Sequence, residues 1–406
     1  MRALFFFRNG SDSTRWLRVQ MACAWLAVWF GAGMIGRVAL AAGPPQLRPA
    51  VSLTAGGSSI GPGTYAIPCV ADWNGDGKKD LLVGYRTADK VALYLNTGTD
   101  ASPVFANYTP LQAGGTDIVV PGSSCGAPAP WVCDFDADGL RDLLVGSGLN
   151  GTVNFYRNTN TDAAPKLAPA VQLMTGAGVL SVSWRATPCA HDWDEDGLVD
   201  LLCGNGDGYI YFFKNTNTAQ SPVYAPGVLM QAGGVTLDLG DRSVPRVFDW
   251  DGDGLKDLVC SAVAGVFWCR NTNRNNQPIL QAPVALKVPV SGLGLQPINT
   301  GPRMRLDLVD WNNDGTMDLL LGNADGTVFF YEAYRFAFSG INPTGADSLT
   351  LQWNSAPYLK YNLESRVALD AVWETVATNL AAGDRVTSWI GRRDGVLRFF
   401  RVQIAP

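Results

Sequence analysis

Residues 249–257 read Asp-Trp-Asp-Gly-Asp-Gly-Leu-Lys-Asp, and four other stretches repeat the pattern. They are DWNGDGKKD from Asp72, DFDADGLRD from Asp134, DWDEDGLVD from Asp192 and DWNNDGTMD from Asp310, so that successive copies start 62, 58, 57 and 61 residues apart. Each copy runs into an apolar stretch, at 81–84, 143–146, 201–204, 258–261 and 319–322. Turn residues follow (Asn150-Gly151, Asp207-Gly208, Ala264-Gly265, Asp325-Gly326), then a second strand-like run such as 152–158 or 209–215. The first four copies then carry an Asn-Thr pair beginning at Asn96, Asn158, Asn215 and Asn271. Short β-rich runs around a tight turn are hairpins. A further run follows in most intervals (103–115, 165–178), and an apolar strand leads into the next Asp.

Four strands per interval, at a fixed period and with no helical periodicity, predict an all-β chain built as a β-propeller. Residues 44–334, divided among five copies, give near 58 residues per four-stranded blade. Seven blades of that size would need over 400 residues, more than the mature chain has. The segment 44–57 has the character of a fourth strand yet precedes the first Asp string, while the last copy stops at Tyr334. Residues 47–54 are therefore expected to supply the outer strand of the fifth blade and close the ring.

The nine-residue string places acidic or amide side chains at positions 1, 3, 5 and 9, with Gly at 6. Alternate residues can turn their oxygens inward, Gly permits the bend, and the backbone carbonyl at position 7 completes an oxygen shell. So many hard oxygen ligands suit Ca²⁺ better than Mg²⁺ or Zn²⁺. The expected ligands are Asp72, Asn74, Asp76, Lys78 (by its carbonyl) and Asp80; Asp134, Asp136, Asp138, Leu140 and Asp142; and Asp192, Asp194, Asp196, Leu198 and Asp200. The last two sets are Asp249, Asp251, Asp253, Leu255 and Asp257, then Asp310, Asn312, Asp314, Thr316 and Asp318. Without a cation, 18 aspartates packed this way would repel one another. About five Ca²⁺, one per blade, are expected, and their loss should weaken the fold.

These strings resemble the FG-GAP/VCBS repeats of integrin α-subunit propellers and of many secreted bacterial proteins. The resemblance covers roughly residues 44–334. It implies a propeller whose loop between the first and second strands of each blade binds calcium, through the residues just named. Asn74 and Asn312 depart from Asp at position 3, and Ser261 replaces the usual Gly. Some fungal lectins with similar repeats bind sugars between blades, which bears on fold rather than on a site.

Ahead of the repeats, Arg2, Arg8, Arg15 and Arg18 precede the apolar run 21–36, and Ala39-Leu40-Ala41 is a small-residue site. Residues 1–41 therefore read as a secretory signal. The run is short for a membrane span, so no transmembrane span is expected in the mature chain. Its removal takes away five arginines and one aspartate, which shifts the net charge from −5 to −9. The expected location is secreted, extracellular or cell-surface, with the periplasm an alternative. An acidic chain is no general nucleic-acid binder. The lone histidine, His191, excludes a His-cluster metal site. Its equivalents Ala71, Cys133, Phe248 and Val309 are apolar, so His191 is expected to pack.

Trp73, Phe135, Trp193, Trp250 and Trp311 occupy position 2 of the loops. An aromatic recurring in every repeat is what a repeated core requires, rather than a sugar platform. Seven cysteines follow the leader, an odd number. Cys260 and Cys269 flank Ala264-Gly265 symmetrically, so they are expected to lie opposite each other, where a disulfide is possible. Cys69 and Cys189 hold equivalent places in separate blades and need not meet.

Residues 335–406 alternate apolar and polar residues over five runs (348–355, 358–369, 373–380, 385–391, 397–404), which predicts a small β-sandwich. It resembles a truncated fibronectin type III-like module, with Trp353 in its core and Phe400-Arg401-Val402 in its final strand.

The function expected from the sequence is a binding or adhesion module for a glycan or an extracellular surface protein, and not an enzyme. No catalytic residues are singled out. The alternatives are a calcium-dependent propeller enzyme acting on polysaccharide, lyase or hydrolase, and a purely structural envelope scaffold.

Overall fold

The structure is a computed structural model that describes residues 24–28, 44–120, 126–344, 348–368, 371–392 and 398–405. Strands and turns make up the described residues, and none of these lies in a helix. Five of the sheets are four-stranded, antiparallel and repeat one plan, arranged like blades. Their first strands are Ile67–Ala71, Ala129–Cys133, Thr187–His191, Val244–Phe248 and Arg305–Val309. These adjoin one another in sequence order, and the last adjoins the first, so they form the inner wall of a ring. The second strands, from Asp80–Tyr85 to Asp318–Gly322, begin at position 9 of each loop. The third strands complete the hairpins.

The outer strand of four sheets has two residues, as in Val171–Gln172. In the fifth sheet that strand comes from the N-terminal side, with Val51 opposite Phe330 and Ser52 opposite Phe329. The expected closure by 47–54 is present. Gln46–Leu47 add a second clasp against Ala333–Tyr334. Beyond each outer strand lies a two-stranded ribbon, such as Met174–Thr175 with Gly178–Val179, which the sequence pattern did not separate from its neighbours.

Two features of the inner wall follow from its geometry. Pro68, Pro130, Pro188 and Pro245 sit inside first strands. Proline lacks the N–H a ladder needs, and only a sheet edge tolerates that; the inner strand is such an edge. Next, the glycine closing each second strand lies against the next blade's backbone. A Cβ on Gly146 would stand 2.1 Å from the Ala186 carbonyl oxygen. Gly204 meets Ser243 at 2.2 Å in the same way, and Gly322 meets Ala66 at 2.1 Å across the point of closure. At Ser261, the one departure, the hydroxyl donates to the Met304 carbonyl at 3.2 Å.

Trp73, Phe135, Trp193, Trp250 and Trp311 are all buried, as a repeated core position requires. Cys260 and Cys269 correct the expectation. The tight turn is Val263-Ala264, because Ala262 pairs with Gly265. Cys260 therefore faces Phe267, Cys269 faces Leu258, and both thiols are free. Cys69, Cys133, Cys189 and Cys203 are free as well, while Cys125 lies outside the described residues.

C-terminal to the ring, Phe338–Pro343, Ser348–Asn354 and Val386–Arg392 form one sheet. Lys360–Arg366, Glu374–Ala381 and Arg398–Ile404 form another, which Ala24–Val28 joins beside Arg398–Ile404. Apart from that strand, residues 1–41 lie outside the described residues. The two sheets share a core of Phe336, Leu351, Trp353, Tyr361, Leu363, Phe400 and Val402. Glu332, at the end of the ring, ties the parts together: Arg48 reaches it at 3.3 Å and Arg385 pairs with it through both guanidinium nitrogens.

Gly322→Ala should lower stability by ~3 kcal/mol, since the added methyl meets backbone that cannot rotate away. Ser261→Gly should cost only ~1 kcal/mol, the lost hydrogen bond. Chemical denaturation of both variants measures this, and equal losses would contradict close approach at the closure.

Candidate metal centres

The five acidic loops lie at one end of the ring, where each first strand ends. Their backbone folds on their own carboxylates. Asp134 accepts from the N–H groups of Asp138 (3.1 Å) and Gly139 (3.0 Å). Asp192 and Asp310 do the same for Asp196 and Gly197 and for Asp314 and Gly315. In each loop the position 5 carboxylate accepts from the position 7 N–H, as Asp253 does from Leu255 at 3.0 Å. Such a turn needs a backbone with positive φ at position 6, and Gly77, Gly139, Gly197, Gly254 and Gly315 supply it at 83° to 88°.

Position 9 is the anchor. Asp80, Asp142, Asp200, Asp257 and Asp318 are fully buried. Each accepts from the position 2 N–H on one oxygen, at 3.0 to 3.1 Å. The other oxygen accepts from a residue at the end of the third strand: Asn96, Asn158, Asn215, Asn271 or Ala333, at 2.7 to 2.9 Å. The asparagines of the recurring Asn-Thr pair thus have a structural task. Asn158 Oδ1 also accepts from Asn160 and Lys166 (both 3.1 Å), which shapes the link to the outer strand.

Carboxylate oxygens of Asp134, Asp136 and Asp142 come within 4.8 Å of one another, as do those of Asp192, Asp194 and Asp200 and of Asp249, Asp251 and Asp257. In the other two loops Asn74 and Asn312 fill position 3. Four loops hold a buried carboxylate oxygen that no hydrogen bond satisfies: Oδ1 of Asp72, Asp136, Asp194 and Asp251. A buried carboxylate oxygen without a partner is costly, and a divalent cation is the partner such a donor set fits. These clusters could hold a metal.

One set of residues had no place in the sequence reading. The residue just before the Asn-Thr pair reaches back to the loop of its own blade. Arg157 pairs with Asp136 (2.8 Å) and Asp138 (2.9 Å), and Arg270 pairs with Asp251 and Asp253 (both 2.7 Å). Lys214 pairs with Asp194 and Asp196. Where position 3 is Asn, the equivalents are Leu95 and Glu332. The cation is present where the loop has four aspartates and absent where it has three, so ligand carboxylates and cation together leave each loop at three negative charges. The signal was legible as a basic residue before three of the four Asn-Thr pairs.

Three position 8 cations link neighbouring loops. Arg141 approaches Asp72 at 3.5 Å, Lys79 donates to Asn313, and Lys256 lies 3.6 Å from Glu195. His191 is half-buried, with Nδ1 3.0 Å from the Asp192 carbonyl, and burial pulls it below the ordinary imidazole range. It packs, as its apolar equivalents imply.

Residues 192–260, from the third loop through the second strand of the fourth blade, match the FG-GAP-like repeat family. Over this stretch the chain carries an FG-GAP-like repeat. The chain is 28% identical over 160 residues to integrin alpha-4 of Xenopus laevis, which covers 37% of this chain. It spans about 15% of that protein's length. Among solved structures, an exo-β-1,3-galactanase from Phanerochaete chrysosporium aligns at 11% identity and a TM-score of 0.44, covering 89% of this chain and 98% of that one. An Agrocybe aegerita lectin that recognises non-reducing terminal N-acetylglucosamine aligns at 15% identity and 0.34, covering 90% and 98%.

Burial pushes Asp142 and Asp200 up to about 6, and Asp257 and Asp318 up to about 7. An unfolded aspartate titrates near ~4. Between these values the folded, metal-free chain binds protons that the unfolded chain has lost, so its stability falls as pH rises. In chelator, the melting temperature should drop from pH 5 to pH 8. A rise over that range would contradict the burial of these carboxylates.

Proposed function

We propose that this chain is a secreted, calcium-stabilised propeller that binds a glycan or a cell-surface protein. Calcium occupies all five loops, held by the ligands at positions 1, 3, 5 and 9 and by the carbonyls of Lys78, Leu140, Leu198, Leu255 and Thr316. The orphaned carboxylate oxygens in four loops support the metal, and hard oxygen donors support calcium over softer ions. The loops share one plan and tie into one another. A catalytic metal keeps an open position of its own, and five like loops serve stability instead. The chain thus divides into a leader (1–41), the propeller (44–334) and a C-terminal sandwich (335–406).

The observation that carries binding is a cleft of about 650 Å³ where the ring meets the C-terminal sheets. Tyr358 stands in it, 55% exposed, on a backbone with φ of 70°. A non-glycine residue held in the left-handed region is uncommon. Asp100, Asp384 and Arg385 line the same cleft. A flat aromatic face beside carboxylates and a guanidinium suits a sugar ring, whose C–H face stacks while its hydroxyls donate and accept.

The test is a glycan and polysaccharide array probed with the full chain in calcium and in chelator. Binding to one sugar class that requires calcium and weakens about tenfold or more in Tyr358→Ala is the expected result, since an aromatic anchor commonly contributes that much. Breakdown of a spotted polysaccharide would replace this reading with the enzymatic one. A folded, calcium-loaded protein that binds no sugar would leave the surface protein as its partner.

A further inference from the structure

The end of the ring opposite the acidic loops gathers a group of arginines at one set of turns. Seven residues before each loop's first Asp, the chain turns from one blade into the next inner strand. The residues at that place are Tyr65, Ala127, Arg185, Arg242 and Arg303. Four of them have left-handed backbones: φ is 60° at Tyr65, 53° at Arg185, 57° at Arg242 and 66° at Arg303. Three long cationic side chains are thus held in a conformation that few non-glycine residues adopt. The turn itself is fixed to the preceding blade, where Tyr65 donates to the Ala324 carbonyl at 3.0 Å and Arg242 to that of Gly206 at 3.2 Å.

Arg305 lies two residues further in and is only 6% exposed. Its Nη1 donates to the carbonyls of Arg242 and Met304, both at 3.2 Å. No carboxylate pairs with it among the described residues. Burial, with Arg185, Arg242 and Arg303 around it, pulls its guanidinium down to about 9. The acid nearby, Asp241, is already paired with Arg242, whose Nε is buried without a hydrogen-bond partner among the described residues. A buried cation ringed by like charges is expensive unless an anion compensates it.

Two aromatic rings flank these cations. Arg303 lies 4.2 Å and Arg86 5.0 Å from the centre of the Tyr65 ring, and Arg185 lies 4.3 Å from the Trp184 ring. Trp184 is itself fixed, its Nε1 donating to Asp207 at 2.9 Å. Deeper in the ring Arg246 and Asp307 form a buried ion pair at 2.7 Å, with the Trp131 ring 4.6 Å from Arg246. The Val70 N–H donates to the same Asp307 at 2.7 Å. This pair is self-contained, so the arginines at the turns form a separate cluster, an arginine cup.

We propose that this cup is an oxyanion site, which takes a carboxylate or sulfate ester carried on an acidic polysaccharide. The anion sits among Arg242, Arg303 and Arg305, where planar guanidinium groups offer paired donors to planar or tetrahedral oxyanions. The sugar bearing it lies along Tyr65 or Trp184. The saccharide part rests on the glycan reading above, whereas the anion part does not.

Calorimetric titration of the full calcium-loaded chain tests this with inorganic sulfate, oligogalacturonate, dextran sulfate and uncharged dextran. Saturable binding of sulfate and of at least one acidic polysaccharide, weakened by added salt, is expected. Arg303→Gln should weaken it about tenfold, the size of one charge-assisted hydrogen bond. Arg305→Met should abolish it and raise the melting temperature of the anion-free protein, which a purely structural arginine would not do. Absence of saturable binding to any anion, or unchanged affinity in both variants, overturns the site. Sulfate binding without polysaccharide binding overturns the saccharide assignment. Array binding lost in Tyr358→Ala but intact in Arg303→Gln and Arg305→Met would keep the cleft and overturn the cup.

Discussion

Five buried aspartates hold this molecule together. Asp80, Asp142, Asp200, Asp257 and Asp318 each close the base of a loop with one oxygen and grip the end of the third strand with the other. A carboxylate with no exposure is a poor choice for a core unless its charge is compensated. Here two backbone N–H groups do part of that, and burial still pushes four of the groups up to about 6 or 7. The remainder falls to whatever cation sits in the loop. Because the same residue sets the loop, the hairpin and the link to the outer strand, the state of the loop reaches every strand of its blade.

The matched charge of the five loops follows from that constraint. Arg157, Lys214 and Arg270 stand where the loop has an aspartate at position 3, and Leu95 and Glu332 stand where it has asparagine. In the four loops before the last, a strand cation accompanies the fourth aspartate and is missing with it, which keeps the demand for a cation the same there. At position 8, Lys79, Arg141 and Lys256 then link three pairs of neighbouring loops. At the other end stand the arginines, with the buried Arg246–Asp307 pair a separate, self-contained unit.

Much of this was legible in the sequence because a repeat writes the same constraint several times. The loops, the hairpins, the buried aromatics at position 2 and the closure by Val51–Ser52 all follow from period and from which strand was missing at each end. What escaped was whatever one blade does alone or whatever only meets across blades. The turn at Val263-Ala264 is shifted by one residue from the Ala-Gly pair that marked it, and that shift separates Cys260 from Cys269. The ribbons beyond the outer strands, mostly two residues to a strand, are too short to carry a pattern of their own. The arginine cup joins residues from three turns, each unremarked on its own, because a single arginine in a turn looks like solvated surface. Tyr358 was hidden in a run that reads as strand.

The loops are the point on which the rest depends, and metal content measures them directly. The full chain would be dialysed against trace-free buffer and titrated with calcium, with bound metal counted by elemental analysis. Five calcium ions per chain, with a melting temperature that climbs as they bind, are predicted. A folded protein that binds none, or whose stability is indifferent to those it binds, would contradict the role assigned to the buried aspartates.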